Sequence, residues 1–317
     1  MSRLAVYYAS DIHGSELLWR KFLNAGPFYR AQVLIMGGDL CGKGVVPIVS
    51  RQDGTSESSF PDGRVILRSE ADVERLESEI RSAGMYPFRC TPAELGVLAA
   101  SPERQDEVLE QLMATTWEHW LRIADTKLAE SKLPCYAMPG NDDRFVIDDA
   151  FESSQHVHNC DQQVIEIGDG YSLLSFGYAN PTPWDSPREL SEHDLESKLE
   201  ELAAQVHDKR RAIFNLHVPP YDSRLDTAPS LDSELRPKVV AGHVVTAPAG
   251  STAVRAIIER HQPLLALHGH IHESKGAAWI GKTLCINPGS NYTSGRLDGV
   301  LVRLENAAIK NFQFVTG

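Results

Sequence analysis

The chain has 317 residues, a globular mix of apolar and charged side chains, and a formal charge of −12. That length can form one large α/β domain or two small ones with a sizeable core. The acidic balance counts against nucleic acid or an anionic membrane as the main partner, because both recruit basic surfaces, and an anionic substrate would need local cations. Cys41, Cys90, Cys135, Cys160 and Cys285 are scattered without C-x-x-C spacing, which fits a reduced chain better than a disulfide scaffold. The sequence starts directly on a strand pattern and has no apolar run of membrane-spanning length, so a soluble, cytoplasmic protein is expected.

Leu4-Ala5-Val6-Tyr7-Tyr8-Ala9 reads as a short buried strand that ends in Ser10-Asp11-Ile12-His13-Gly14, ahead of a helical pattern at Leu17, Leu18, Lys21 and Phe22. A carboxylate and an imidazole at a strand's C-terminal edge stand where open α/β sheets bind ligands, although an Asp before a helix also serves as an N-cap. Residues 32–36 form a second apolar strand, opening into Gly37-Gly38-Asp39-Leu40-Cys41-Gly42-Lys43-Gly44. Two such junctions suggest neighbouring parallel strands whose carboxylates meet. A phosphate-cradling loop is the weaker alternative, since neither G-x-x-x-x-G-K-[ST] nor G-x-G-x-x-G is present.

The segment 45–133 leaves simple strand–helix alternation. Runs 45–49 and 64–67 flank a polar turn at 53–56 and are expected to pair. Thr91-Pro92-Ala93-Glu94 has a capping-box pattern, and Ser101-Pro102-Glu103 starts another helix in a similar way. That helix carries Val108, Leu112, Met113, Trp117, Trp120, Leu121, Ala124 and Leu128 at three- and four-residue spacing, an apolar face on which core packing is the expected use of both tryptophans. The segment is expected to be an insertion that covers a site, with docking on the far side of the sheet as the alternative.

Cys135-Tyr136-Ala137-Met138 is a further strand that ends in Pro139-Gly140-Asn141-Asp142-Asp143-Arg144. A hairpin across Gly168-Asp169-Gly170 is expected to end the first half of the sheet. Ser191 with Asp194 caps a charged helix to about His207, whose Glu and Lys residues read as a solvated face. Strand 212–216 ends in His217-Val218-Pro219-Pro220, and a helix near 251–260 follows Gly242-His243. The run 263–267 then empties into His268-Gly269-His270-Ile271-His272, where glycine lets the backbone turn so that alternate rings converge. Stretches 279–287 and 299–304 close the chain as strands.

These junctions contribute Asp11, His13, Asp39, Asn141, His217, His270 and His272, with no thiolate among them. Such a set suits two divalent cations bridged by one carboxylate, whereas structural zinc favours cysteines.

In this order the junctions resemble the calcineurin-like metallophosphoesterases, whose pattern is Asp-x-His, Gly-Asp, Gly-Asn-His-Asp/Glu, a His, and Gly-His-x-His. The match spans Asp11 to His272. The resemblance implies one domain over 1–317, a four-layer α/β/β/α sandwich with a cap-like insertion at about 45–133, and a dinuclear centre of Mn, Fe, Zn or Ni. Carried over by position, Asp11, His13 and His272 would hold one metal, Asn141, His217 and His270 the other, and Asp39 would bridge them. Asn287-Pro288-Gly289-Ser290 looks like the family's loop after the last His pair, while His268 and His243 fall outside the pattern and are expected to be structural or supporting.

The activity so implied is hydrolysis of a small-molecule phosphate ester, with phosphodiesters such as cyclic nucleotides or nucleotide derivatives ahead of phosphomonoesters and phosphoproteins. Two cations would clamp the phosphoryl group and lower the pKa of a shared water into hydroxide range. Asn141 and Arg144 are candidates to contact the substrate. One position departs: where the family has the His that protonates the leaving oxygen, this chain has Asp142, and an ionised carboxylate cannot donate a proton. Another group, such as His243 or a water, would have to take that role. The alternative is a metal-binding scaffold or regulatory protein that kept the fold without turnover.

Overall fold

The computed structural model describes residues 3–317, and the strand ends marked in the sequence fall on two stacked sheets. The first half of the chain forms β1 (Arg3–Ala9), α1 (Glu16–Tyr29), β2 (Val33–Met36), β3 (Val45–Ser50), β4 (Ser56–Ser58), β5 (Val65–Leu67), α2 (Glu70–Ser82), β6 (Tyr86–Cys90), α3 (Pro92–Ala100), α4 (Pro102–Ser131), β7 (Cys135–Ala137) and β8 (Val157–Asn159). The second half adds β9 (Gln163–Glu166), β10 (Ser172–Phe176), α5 (Glu192–Ala204), β11 (Ala212–Leu216), β12 (Thr227–Pro229), β13 (Val239–Val240), β14 (His243–Val244), β15 (Thr246–Pro248), α6 (Thr252–His261), β16 (Leu265–Leu267), β17 (Gly276–Ile280), β18 (Thr283–Asn287), β19 (Asp298–Glu305) and β20 (Ala308–Thr316).

One sheet has the order β20-β19-β1-β2-β7-β8 and the other β17-β18-β16-β11-β10-β9. In the first, β1, β2, β7 and β8 run parallel; in the second, β10, β11, β16 and β18 do. Parallel strands need cover on both faces and so read as continuous apolar runs; β2 and β11 are buried at every position.

Alternate side chains leave each sheet on opposite sides. Val6, Tyr8, Val33 and Ile35 meet Leu173, Ile213, Leu265 and Ile286 in a core between the sheets. Tyr7, Leu34 and Met36 face outward onto α1 and α4, while Leu174, Phe214 and Ala266 face onto α5 and α6. The layers therefore run α/β/β/α, as the family resemblance implied.

Several local expectations change. Strands β3 and β5 do not pair, because the polar turn folds the chain straight back into β4, which lies between them in a small sheet ordered β5-β4-β3-β6. The hairpin β9–β10 forms, but it opens the second sheet instead of ending the first. Helix α2 and strands β6, β8 and β20 have no counterpart in the sequence reading. The caps hold: Thr91 and Glu94 make a reciprocal capping box, and Ser101 accepts from the Arg104 amide, each contribution of this kind being worth about 1 kcal/mol. In α4, Trp117 and Trp120 pack on Trp19 of α1, with ring centroids 5.3 and 6.0 Å away. That half of α4 is part of the outer helical layer. Among the described residues, no helix is long and apolar enough to cross a membrane.

Candidate metal centre

The loops leaving β1, β2, β7, β11 and β16 meet at one place, and backbone bonds continue the strand pairing into them. The Gly37 amide donates to the Ala9 carbonyl at 2.9 Å, Asp11 to Gly38 at 3.0 Å, and His13 to Asp39 at 2.9 Å. From the other sheet, the Gly269 amide donates to the His217 carbonyl at 2.9 Å, and the His270 amide to the Asp11 carboxylate at 2.9 and 3.1 Å. These ties hold Asp11, His13, Asp39 and His270 in the left-handed region, at φ of 56°, 40°, 51° and 65°. Such conformations cost on the order of 1–3 kcal/mol each and collect at functional sites. Close approach fixes two glycines: a Cβ at Gly140 would overlap Asp39, and one at Gly269 would overlap Ser10 and the Asp11 carboxylate.

All seven sequence candidates for metal binding converge. Asp11, His13, Asp39 and His272 form one group of mutually close ligand atoms, and Asp39, His217 and His270 a second. Asn141 joins the second group, its Oδ1 lying 3.1 Å from His217 Nε2 and 2.7 Å from His270 Nδ1. Asp39 belongs to both. Its Oδ1 accepts from the Asp142 amide at 3.0 Å, which leaves Oδ2 lying 3.5 Å from His13 Nε2 and 3.5 Å from His217 Nε2. In the first group, His13 Nε2 and His272 Nε2 face each other at 2.9 Å, and His272 Nε2 lies 3.4 Å from Asp11 Oδ1.

The donor set fits divalent cations. Metal–ligand bonds of about 2.1 Å at 90–109° set neighbouring ligand atoms about 3.0–3.4 Å apart, close to the spacings here. Two imidazole nitrogens aimed at each other can share a proton or a cation between them. The His217 ring is oriented by its other nitrogen, Nδ1, which lies 2.8 Å from the Gly37 carbonyl, as metal-ligating imidazoles usually require.

Electrostatics divide the imidazoles. Burial brings His13 down to about 3 and His270 down to about 4, keeping both neutral. Burial acts the same way on His217, but the charges of Asp39 and Asp11 outweigh it and push this ring up to about 10. His272 is raised too, burial being overcome by its bond to Asp11 and that carboxylate's charge. Burial would raise Asp11, yet the bond and charge of His272, aided by His217, bring it to about 2; against burial, His217 and His13 hold Asp39 well below the usual carboxylate range. Protons thus stand where cations would.

The supporting shell includes Asp143, to which the sequence reading gave no role. Asp143 is buried and accepts from the amides of Gly140, Leu40 and Cys41 at 2.7, 2.9 and 2.8 Å, locking the β2 and β7 loops together. Asn287 donates to the carbonyls of Gly269 and Ile271 at 3.2 and 2.9 Å, and Ser290 Oγ donates to the Asp11 carbonyl at 2.7 Å. His268 stands outside both groups, with Nδ1 2.9 Å from the Leu216 carbonyl. His243 sits exposed on the β13–β14 hairpin and is not among the described side chains lining the cavity over the centre.

That cavity has a volume of about 1350 Å³, and Asp39, Asn141, His270 and His272 are part of its wall. Asp142 also lines it, forming an ion pair with Lys43 and accepting from Ser186 Oγ at 2.9 Å. Burial and then the charge of Asp39 raise the Asp142 carboxyl, with Lys43 opposing them. Arg144 reaches the wall as well, but its guanidinium is held by Asp106 at 2.6 Å and Glu110 at 3.1 Å on α4. It ties that helix to the site loop instead of presenting a free cation. Further walls come from Leu109 and Met113 of α4, from the 180–187 loop and from the 219–250 arm, with Glu192, Thr252 and Glu273 beside them. The β3–β6 sheet contributes nothing to the described lining. Lys43 was legible only as a neighbour of Asp39 in its glycine-rich loop; nothing in the sequence tied it to Asp142.

No family model matches the chain. The uncharacterised protein MJ1162 of Methanocaldococcus jannaschii is 31% identical over 167 residues, which is 51% of this chain and 67% of that protein. The solved structure of TT1561 from Thermus thermophilus aligns over 100% of this chain and 99% of its own, with 15% identity and a TM-score of 0.53. Yfce, a phosphoesterase from E. coli, aligns over 98% of both chains with 13% identity and a TM-score of 0.34. Its two-sheet fold and the Asp, Asn and His residues at its strand ends keep the resemblance to the calcineurin-like metallophosphoesterases, and the chain belongs to one family with MJ1162.

Proposed function

We propose that the chain is a dinuclear metal-dependent phosphoric ester hydrolase that acts on phosphodiesters ahead of phosphomonoesters, cyclic nucleotides and nucleotide-derived diesters being within that class. The observation that carries this reading is Asp39, whose free oxygen lies 3.5 Å from an imidazole of each ligand group. Asp11, His13 and His272 would hold one divalent ion, Asn141, His217 and His270 the other, and Asp39 both. Ions bound there would supply Lewis-acid charge to the phosphoryl oxygens and acidify a water beside them. The chain's own part is to orient the ester: the cavity directs it onto the centre, the Lys43–Asp142 pair flanks the reacting phosphoryl group, and α4 with the 219–250 arm limits what enters. A diester suits this setting because it brings one negative charge into an acidic protein, where a monoester brings up to two.

The test is hydrolysis of bis-p-nitrophenyl phosphate by the Mn²⁺-loaded protein, with Asp39→Asn as the comparison. Turnover that Asp39→Asn abolishes, together with loss of bound metal, supports the reading; a wild-type protein that binds one ion or none per chain sinks the dinuclear centre. The Asp142 carboxylate, held by Lys43 where a proton donor would be needed, favours a second reading, a metal-binding scaffold without turnover. Two bound ions with no hydrolysis of any ester would select it.

A further inference from the structure

Trp184 is 64% exposed, yet the loop that carries it is built to stay in place. Pro181, Pro183 and Pro187 restrict the backbone of the 180–187 stretch. Glu189 accepts from the amides of Thr182 and Ser186 at 2.9 and 3.0 Å, closing the loop on one carboxylate. Ser186 Oγ donates to Asp142 at 2.9 Å and so latches the loop to the residue next to Asn141. An indole left in water on a rigid loop at the edge of a cavity is a platform set out before its ligand arrives, because its ordering is already complete.

Apolar side chains stand on the facing walls as well, among the carboxylates of Asp185, Glu192, Asp232 and Glu273. Tyr221 and Leu235 of the 219–250 arm are 40% and 45% exposed and line the same cavity, as do Leu109 and Met113 of α4. The charges of the wall say what the ligand lacks. Among the described residues lining the cavity, the only lysine and arginine are Lys43 and Arg144; Asp142 neutralises the first, and Asp106 and Glu110 hold the second. A second phosphate beyond the metal centre would meet no unspent cation.

We propose that this groove binds a bulky apolar or aromatic group esterified to the phosphate at the centre, so that the substrate is a single-phosphate ester of a large apolar alcohol. This rests on the phosphoesterase reading for where the phosphate sits. An aromatic ring or an alkyl chain would satisfy the same wall.

The experiment uses the Mn²⁺-loaded full chain and p-nitrophenyl phosphodiesters whose second alcohol is methyl, benzyl, octyl or 7-carboxyheptyl, with binding of methyl-, benzyl- and octylphosphonate measured by calorimetry. Burial of the added carbons should raise kcat/KM for the benzyl or octyl ester about tenfold or more over the methyl ester. Trp184→Ala should cut that ratio, Trp184→Phe should restore part of it, and Trp279→Ala, an exposed indole on β17 outside the described lining, should leave it unchanged. A gain confined to benzyl identifies an aromatic alcohol, and one confined to octyl an alkyl chain. If the methyl ester is hydrolysed and the larger esters gain nothing, or if the carboxyheptyl ester matches the octyl one, the groove assignment is wrong while the hydrolase reading stands. If no ester is hydrolysed but the phosphonates bind in order of apolar size and depend on Trp184, the groove assignment survives and the hydrolase reading fails. Phosphonates without such an order, in a protein without turnover, overturn both. A Trp184-dependent dimer in solution would assign the exposed indole to a second copy and overturn the proposal as well.

Discussion

His217 and His272 carry protons in the metal-free site because Asp39 and Asp11 need a counter-charge there, whereas His13 and His270 stay neutral. A cation must displace those protons, since an imidazole binds metal through a deprotonated nitrogen. Loading with Mn²⁺ at about pH 6 should therefore release about two protons per chain, measurable by calorimetry in buffers of different ionisation enthalpy. The sign follows from the raised pKa of both rings: affinity should climb with pH as His272 and His217 lose their protons, and level off above about 10. An affinity independent of pH would mean the rings are already deprotonated. At the neighbouring position, Asp142→His would offer a proton donor and release Lys43 from its ion pair. It should raise turnover of an alkyl diester more than that of an aryl diester; equal effects would separate this position from leaving-group protonation. The candidate ligands were legible because each stands where an apolar run stops. Asp143 was not, since the amides of Leu40 and Cys41 that it holds lie 103 and 102 residues away in sequence.

Helix α4 joins two functions along one axis. Its first turns present Leu109 and Met113 to the cavity, and its later turns bury Trp117, Trp120, Leu121, Ala124 and Leu128 in the outer core. Removing 45–133 as though it were a detachable cap would expose that core. Trp117→Ala should cost about 3–5 kcal/mol of stability while leaving the metal content of the folded fraction unchanged, checked by denaturant unfolding and metal analysis. A cost near zero would return α4 to the role of appendage. The helix was readable from its three- and four-residue apolar spacing over several turns. By contrast, β8 and the strands of the 219–250 arm span two or three residues each, too few for any period to show. Helix α2 did have a signal, with Val73, Leu76 and Ile80 on one face, but its many charged residues masked it. The exposed Trp184 lacked a pattern altogether, since a proline-rich loop has no face to repeat.

At the scale of the molecule, the sequence could report which strands end in candidate ligands but not how the two sheets share them. Asp11, His13, Asp39 and Asn141 come from the first sheet, and His217, His270 and His272 from the second. Each ligand group therefore draws on both. Binding at hundredfold excess over Kd adds about 2.7 kcal/mol per site to the folded state. Chelation should then lower Tm by several degrees, and Asp39→Asn should remove most of that difference; a Tm indifferent to chelator would show that the sheets are joined by packing alone. Because the first group closes on residues 11 and 272, its ion would rivet nearly the whole chain into a ring. A cell short of divalent ions would then keep this protein with its seam unfastened, and its survival against proteases would follow the metal supply as closely as any catalytic rate does.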